Sequence, residues 1–132
     1  FTPAFAIVTG VWNHSFAALR RKRECVIAIP TVDLLDKVVG IGTCSGADTD
    51  KFKLAGLTPV KGKRTKAPRI AECLMNIEVK RTQSFEVGDH TWYLGEIKHT
   101  DIVQGYDRSQ ALLYRDGEFW TADRPLRSLR PE

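Results

Sequence analysis

Residues able to do chemistry are concentrated in one stretch, 40–60, which reads Gly-Ile-Gly-Thr-Cys-Ser-Gly-Ala-Asp-Thr-Asp-Lys-Phe-Lys-Leu-Ala-Gly-Leu-Thr-Pro-Val. Gly40, Gly42 and Gly46 predict a sharply bent loop, because glycine tolerates backbone angles that other residues resist. Ser45 or Asp48 then caps a short helix through Lys51 and Phe52, and Gly56 ends it. A glycine loop feeding a helix N-terminus presents unpaired backbone N–H groups, which suit an anion such as a phosphate. Lys51, one turn in, adds a full positive charge. Against this, Asp48 and Asp50 crowd the same turn and repel any phosphate they face. These residues allow a phosphate site without requiring one.

Other chemistries find less support. His14, His90 and His99 are separated from Cys25, Cys44 and Cys73 and show no ligand spacing among themselves, so no metal site is expected. No nucleophile elbow is present. Gly40, Gly42 and Gly46 miss the dinucleotide fingerprint by one residue and lack a βαβ unit around them. The basic runs 20–23 and 61–66 raise the question of single-stranded nucleic acid, which small barrels bind through basic grooves and stacked aromatics. The aromatics are not interleaved with these runs. With 20 Lys and Arg against 16 Asp and Glu, the formal balance is only +4. A solvated helix end and a solvated loop are the stronger reading. Cys44 reads as inert packing.

The elements that position these groups are mostly strands. Residues 4–11 are apolar almost throughout, as in a strand buried on both faces or closed into a barrel. Asn13, His14 and Ser15 are capping types ahead of a helix over 16–23, whose basic end suits the helix dipole. Residues 25–29 form a second buried strand stopped by Pro30, and Asp33 caps a short helix with Leu34, Leu35, Val38 and Val39 on its apolar face. A long strand follows the basic connector, with Cys73, Met75, Ile77 and Val79 on one side and Asn76, Glu78 and Lys80 on the other. Gly88-Asp89 turns the chain into an antiparallel return over 91–98, and Asp116-Gly117 marks a final hairpin. The architecture expected is a small, mainly β barrel with short helices outside.

The 132 residues suit one domain spanning 1–132, with 42% hydrophobic and 27% charged residues as in ordinary globular proteins. Three widely spaced cysteines indicate neither zinc nor a disulfide framework, and reduced thiols fit a cytoplasmic protein. No apolar run approaches the ~20 residues that span a bilayer.

Several segments, taken in order, resemble the flavin reductase-like proteins with an FMN-binding split barrel, most of all the flavoredoxin group. They are Asn13-His-Ser-Phe, Cys25-Val-Ile-Ala-Ile-Pro30, Ser45-Gly-Ala-Asp-Thr-Asp-Lys-Phe52 with Gly56-Leu-Thr-Pro59, Ala67-Pro-Arg-Ile-Ala-Glu72, Val87-Gly-Asp-His-Thr91 with Gly95-Glu-Ile97, and Leu112-Leu-Tyr114 with Gly117. The ordered set covers nearly the whole chain and is more specific than any piece.

This resemblance implies a flavoprotein that moves electrons between NAD(P)H or a redox partner and an acceptor through FMN, as a homodimer. It puts Ser15 at the FMN phosphate, Lys51 in the flavin site, His90 reaching the cofactor from the loop between two long strands, and Tyr114, or its neighbour Leu113, near the isoalloxazine. Asn13 and Ser45 flank the matched hydroxyl and lysine. Two departures stand out. Relatives carry an arginine where Ala47 stands, and the family's opening strands would lie ahead of Phe1. The alternative is a flavin-free barrel that binds an anionic ligand or single-stranded nucleic acid.

Overall fold

In a computed structural model, the structure describes residues 2–122. The expected domain limits run past both ends of that range. Four antiparallel strands form the main sheet, in the order β1-β6-β5-β2. They are β1 (Ala4–Thr9), β2 (Glu24–Ile29), β5 (Met75–Val87) and β6 (His90–Ile102). The β5–β6 hairpin dominates, turning at Gly88-Asp89 as the turn chemistry predicts. Its register shifts between Glu78 and Val79 and again between Arg81 and Gln83. Such bulges add local twist, and the sheet curls into half a barrel.

Two small hairpins flank it, β3 (Pro59–Val60) with β4 (Arg69–Ile70), and β7 (Leu112–Arg115) with β8 (Glu118–Thr121). Asp116 and Gly117 both take positive φ, 51° and 80°, which is what a two-residue turn between right-twisted strands requires. Three short helices complete the described fold: α1 (Ser15–Lys22), α2 (Leu35–Gly42) and α3 (Lys51–Ala55). The mainly β fold with short helices is therefore as expected.

Several local expectations need correction. β1 is not buried on both faces: it is an edge strand whose residues alternate between exposed and half-buried. Gly40 and Gly42 do not bend a loop but lie in the last turn of α2, and only Gly46 falls in the connection. Asp33 is not a cap. It lies in a single 3-10 turn, where its carboxylate accepts a hydrogen bond from the Thr31 hydroxyl.

Alternation along β5 is as read, yet the face carrying Asn76 and Glu78 is not solvated. Asn76 is 6% exposed and Glu78 is 0% exposed. The connector from β3 through β4 folds back over that face. The Asn76 side chain accepts from Ile70 N–H and donates to Ile70 C=O, both at 2.9 Å, which mimics a strand partner. The opposite face holds the apolar core with Ile77, Val79, Leu34 and Tyr93.

Candidate functional site

β1 runs out at Thr9 into a tight turn closed by Asn13 N–H on Gly10 C=O at 3.0 Å. The Trp12 ring folds back over Gly10, where an added Cβ would fall 2.1 Å from the indole. Glycine is needed there for space. His14 occupies the position ahead of α1 without a side-chain cap, and Asn13 closes the turn: its side-chain oxygen accepts from Ser15 N–H at 3.0 Å. That leaves the exposed Ser15 hydroxyl without an intramolecular partner among the described residues.

His90 reaches the same corner from the first residue of β6, where it pairs with Val87 rather than sitting in a loop. Its ring meets Trp12 edge to face at 4.9 Å between centroids and 77° between planes. Nδ1 is engaged by Asp89 Oδ1 at 2.9 Å, so Nε2 is the nitrogen left for a ligand. The loop after α2 arrives from the other side, with a Cβ on Gly46 coming within 3.2 Å of His14. The turn 10–15 is thus met by His90 through Trp12 and by the loop at Gly46 through His14.

Lys51 opens α3, half-buried, and its neighbour Phe52 lines the groove that Asn13 and Ser15 also line. This groove of about 960 Å³ takes its cations from Arg21, Lys22 and Lys66 and its floor from the apolar side chains of β2. Tyr114 lies on the separate β7–β8 sheet, 67% exposed, with its ring against Phe119 at 5.3 Å.

The helix-terminus reading of the 40–60 stretch is corrected. α3 has only five residues, and its cap is Asp50, whose carboxylate accepts from Lys53 N–H at 3.3 Å. Neither Ser45 nor Asp48 is the cap. Ser45 Oγ instead accepts from Ala47 N–H at 3.1 Å within its own turn. Gly56 does end the helix, at φ 65°. With its first turn occupied by a carboxylate, α3 contributes the Lys51 charge and not its backbone amides.

A second polar cluster, absent from the sequence reading, lies where β5 and β6 meet the connector. Glu78 Oε1 accepts from Arg64 N–H and Thr65 N–H, each at 2.9 Å, and from the Thr65 hydroxyl at 3.0 Å. Burial, the largest influence, pushes this carboxyl up, and the donors from Arg64, Thr65 and Lys63 together outweigh it, leaving the group below the ordinary glutamate value. Asp101 is likewise held below its usual range: burial raises it, while the Arg69 guanidinium and His99 more than reverse that. Arg69 donates to Asp101 Oδ2 at 2.5 Å, and His99 Nε2 lies 2.9 Å from Asp101 Oδ1. Arg69 also holds the Lys61 carbonyl through two nitrogens at 2.9 and 3.1 Å. Lys66 N–H meets Glu24 at 2.6 Å. The basic connector is therefore tied down at four residues, which sets Lys66 on the groove.

The thiols show no sign of activation. Burial pushes Cys25 and Cys73 up, with Glu24 and Glu72 adding to it. Cys44 points back at the carbonyls of Gly40 and Ile41.

A curled antiparallel sheet with short helices and a phosphate-compatible corner at the end of its first strand defines a split-barrel domain. More particularly, the model for the flavin reductase like domain matches residues 2–123, and the chain belongs to that family. Its relation to flavin redox proteins follows at that level. Among solved structures, flavoredoxin of Desulfovibrio vulgaris (Miyazaki F) superposes with a TM-score of 0.87 at 23% identity, covering 96% of this chain and 74% of that one. An FMN-binding protein from Thermus thermophilus gives 0.84 at 19% identity, over 96% and 74%. An NADH:FAD oxidoreductase of Streptomyces globisporus gives 0.77 at 20% identity, over 91% and 69%. An uncharacterized protein of Archaeoglobus fulgidus is 37% identical over 100 residues, which are 75% of this chain and 56% of that protein. The chain spans about half the length of the curated relatives it matches.

Proposed function

We propose that this protein holds FMN against the corner formed by Asn13, Ser15 and His90 and passes electrons through it, with NAD(P)H or a redox protein as donor. One observation supports the reading: Asn13 and Ser15, matched to the family's cofactor contacts, line a groove of about 960 Å³, and His90 packs on Trp12 in the turn just before them. The donor set suits a phosphate ester. Ser15 offers a free hydroxyl, Lys51 an ammonium group, and Arg21, Lys22 and Lys66 line the groove. A charge-assisted contact of this kind is worth about 1.5–3 kcal/mol.

The flavin ring supplies the hydride and electron chemistry when bound; the protein binds it, orients it and sets the electrostatics around it. Ser15 Oγ donates to a phosphate oxygen. Lys51 lowers the potential energy of the dianion and adds no directional demand. His90 Nε2, turned outward by the Asp89 bond on Nδ1, is placed to hydrogen-bond the cofactor.

The exposed edge strand β1 and the turn after it, with Val8, Val11 and Trp12 45%, 79% and 60% exposed, support a homodimer with the cofactor beside the subunit contact. FMN titration followed by protein and flavin fluorescence tests the binding reading. Anaerobic mixing of the flavin-loaded protein with NADH and with NADPH tests the donor, by bleaching of the flavin band. Protein that takes up no FMN removes the redox reading and leaves a flavin-free module.

A further inference from the structure

Glu78 plays no part in the corner described above. Its Oε1 is saturated by three donors, but Oε2 is sealed from water and has no hydrogen-bond partner among the described residues. A buried carboxylate oxygen in that state is strongly unfavourable unless a positive group completes it. His99 stands directly opposite Glu78 in the β5–β6 register, and Asp101 follows on the same face. One donor atom from each of the three lies within 4.8 Å of the others.

The geometry admits an ion between these groups. The His99 Nε2 to Asp101 Oδ1 separation is 2.9 Å. That is a hydrogen-bond length, and it is also the edge between two neighbouring ligands of an octahedral ion bound at about 2.1 Å. Arg69 occupies the far oxygen of Asp101 and so leaves Oδ1 turned toward the imidazole. Two carboxylates against one guanidinium leave the cluster one positive charge short when His99 is neutral. The side chains of His99 and Asp101 are 34% and 31% exposed, which gives an ion a way in, while Glu78 closes the inner end.

We propose that Glu78, His99 and Asp101 form a divalent transition-metal site that pins β6 to β5 and, through Glu78 Oε1, to the connector 61–66. One imidazole with two carboxylates suits Zn²⁺, Mn²⁺ or Fe²⁺ over Ca²⁺ and Mg²⁺, which take oxygen ligands almost alone. The role is structural and independent of the flavin reading. Closing the ligand triangle requires a small swing of the Glu78 carboxylate about its pinned oxygen.

The test uses the untagged chain, stripped with chelator and dialysed. Zn²⁺ is titrated calorimetrically, and Co²⁺ is followed by its visible absorption. One equivalent should bind, with a rise in Tm in the presence of either ion. His99→Ala should keep its far-UV spectrum, lose the cobalt band and the metal-dependent rise in Tm, and bind Zn²⁺ at least about tenfold more weakly. Should that variant fail to fold, His99→Gln carries the same test. Failure of the stripped wild type to take up one equivalent overturns the site. So does unchanged affinity in the His99 variant, which would put the ion on other ligands.

Discussion

Glu78 is the residue whose replacement tests the packing argument hardest. It is 0% exposed and its Oε1 collects three hydrogen bonds, two of them from backbone N–H groups of the connector. Glu78→Ala strands all three donors in a closed space. Each stranded donor costs about 1–2 kcal/mol, and removal of the unpartnered Oε2 offsets part of that, so the net loss should be about 2–4 kcal/mol. Domain stabilities are about 5–15 kcal/mol, so this is a large fraction of the total. Glu78→Gln keeps one acceptor and loses charge assistance on each bond, for a loss of about 1–3 kcal/mol. Urea denaturation in chelating buffer, followed by tryptophan fluorescence and far-UV circular dichroism, measures both without a metal contribution. Amide exchange adds a local readout: Arg64 and Thr65 should lose protection in the alanine variant before the core of β5 does. A Glu78→Ala protein within 0.5 kcal/mol of wild type, or with those two amides still protected, would refute the reasoning.

Three further outcomes are expected. Lys51→Ala should weaken FMN by about 1–3 kcal/mol in a fluorescence titration, and unchanged affinity would remove Lys51 from the site. Asp50→Ala should destabilise the protein by about 1 kcal/mol through loss of the α3 cap, with Tm as the measurement. Acid should unfold the protein in a defined direction. The carboxyls of Glu78, Glu72 and Asp101 are all held below their ordinary values, so the folded state binds fewer protons than the unfolded chain. Their contribution is complete above the unfolded values of about 4.3 for Glu and 3.9 for Asp, and disappears as pH falls through the lower folded values. Stability that stayed flat from pH 6 to pH 3 would contradict those environments.

Much of the site could be read from the chain because its signals are local. Asn13, His14 and Ser15 are capping types after an apolar run, and a tight turn into α1 is what they make. Which of the three does what was left open, and only the 3.0 Å contact from Ser15 N–H to the asparagine oxygen shows that Asn13 closes the turn. Asp48, Asp50 and Ser45 posed the same ambiguity around α3. Trp12 went unnoticed because its role depends on contacts with Gly10, two residues back, and with His90, which comes from the far hairpin. Tyr114, matched to the cofactor by resemblance, lies on the small β7–β8 sheet.

By itself, the sequence determined the strand alternation, the Asp116-Gly117 hairpin, the end of α3 at Gly56 and membership of the flavin reductase like family. These depend on residue type at short spacing. Tertiary structure alone decided what covers the second face of β5. Glu78 and Lys80 share one alternating pattern, yet one is sealed and the other exposed, because the connector 61–70 returns over the first and not the second. Likewise Glu78, His99 and Asp101 follow no ligand spacing along the chain. A hairpin register brings them within 4.8 Å, and register is set by the pairing of whole strands, not by neighbours in sequence.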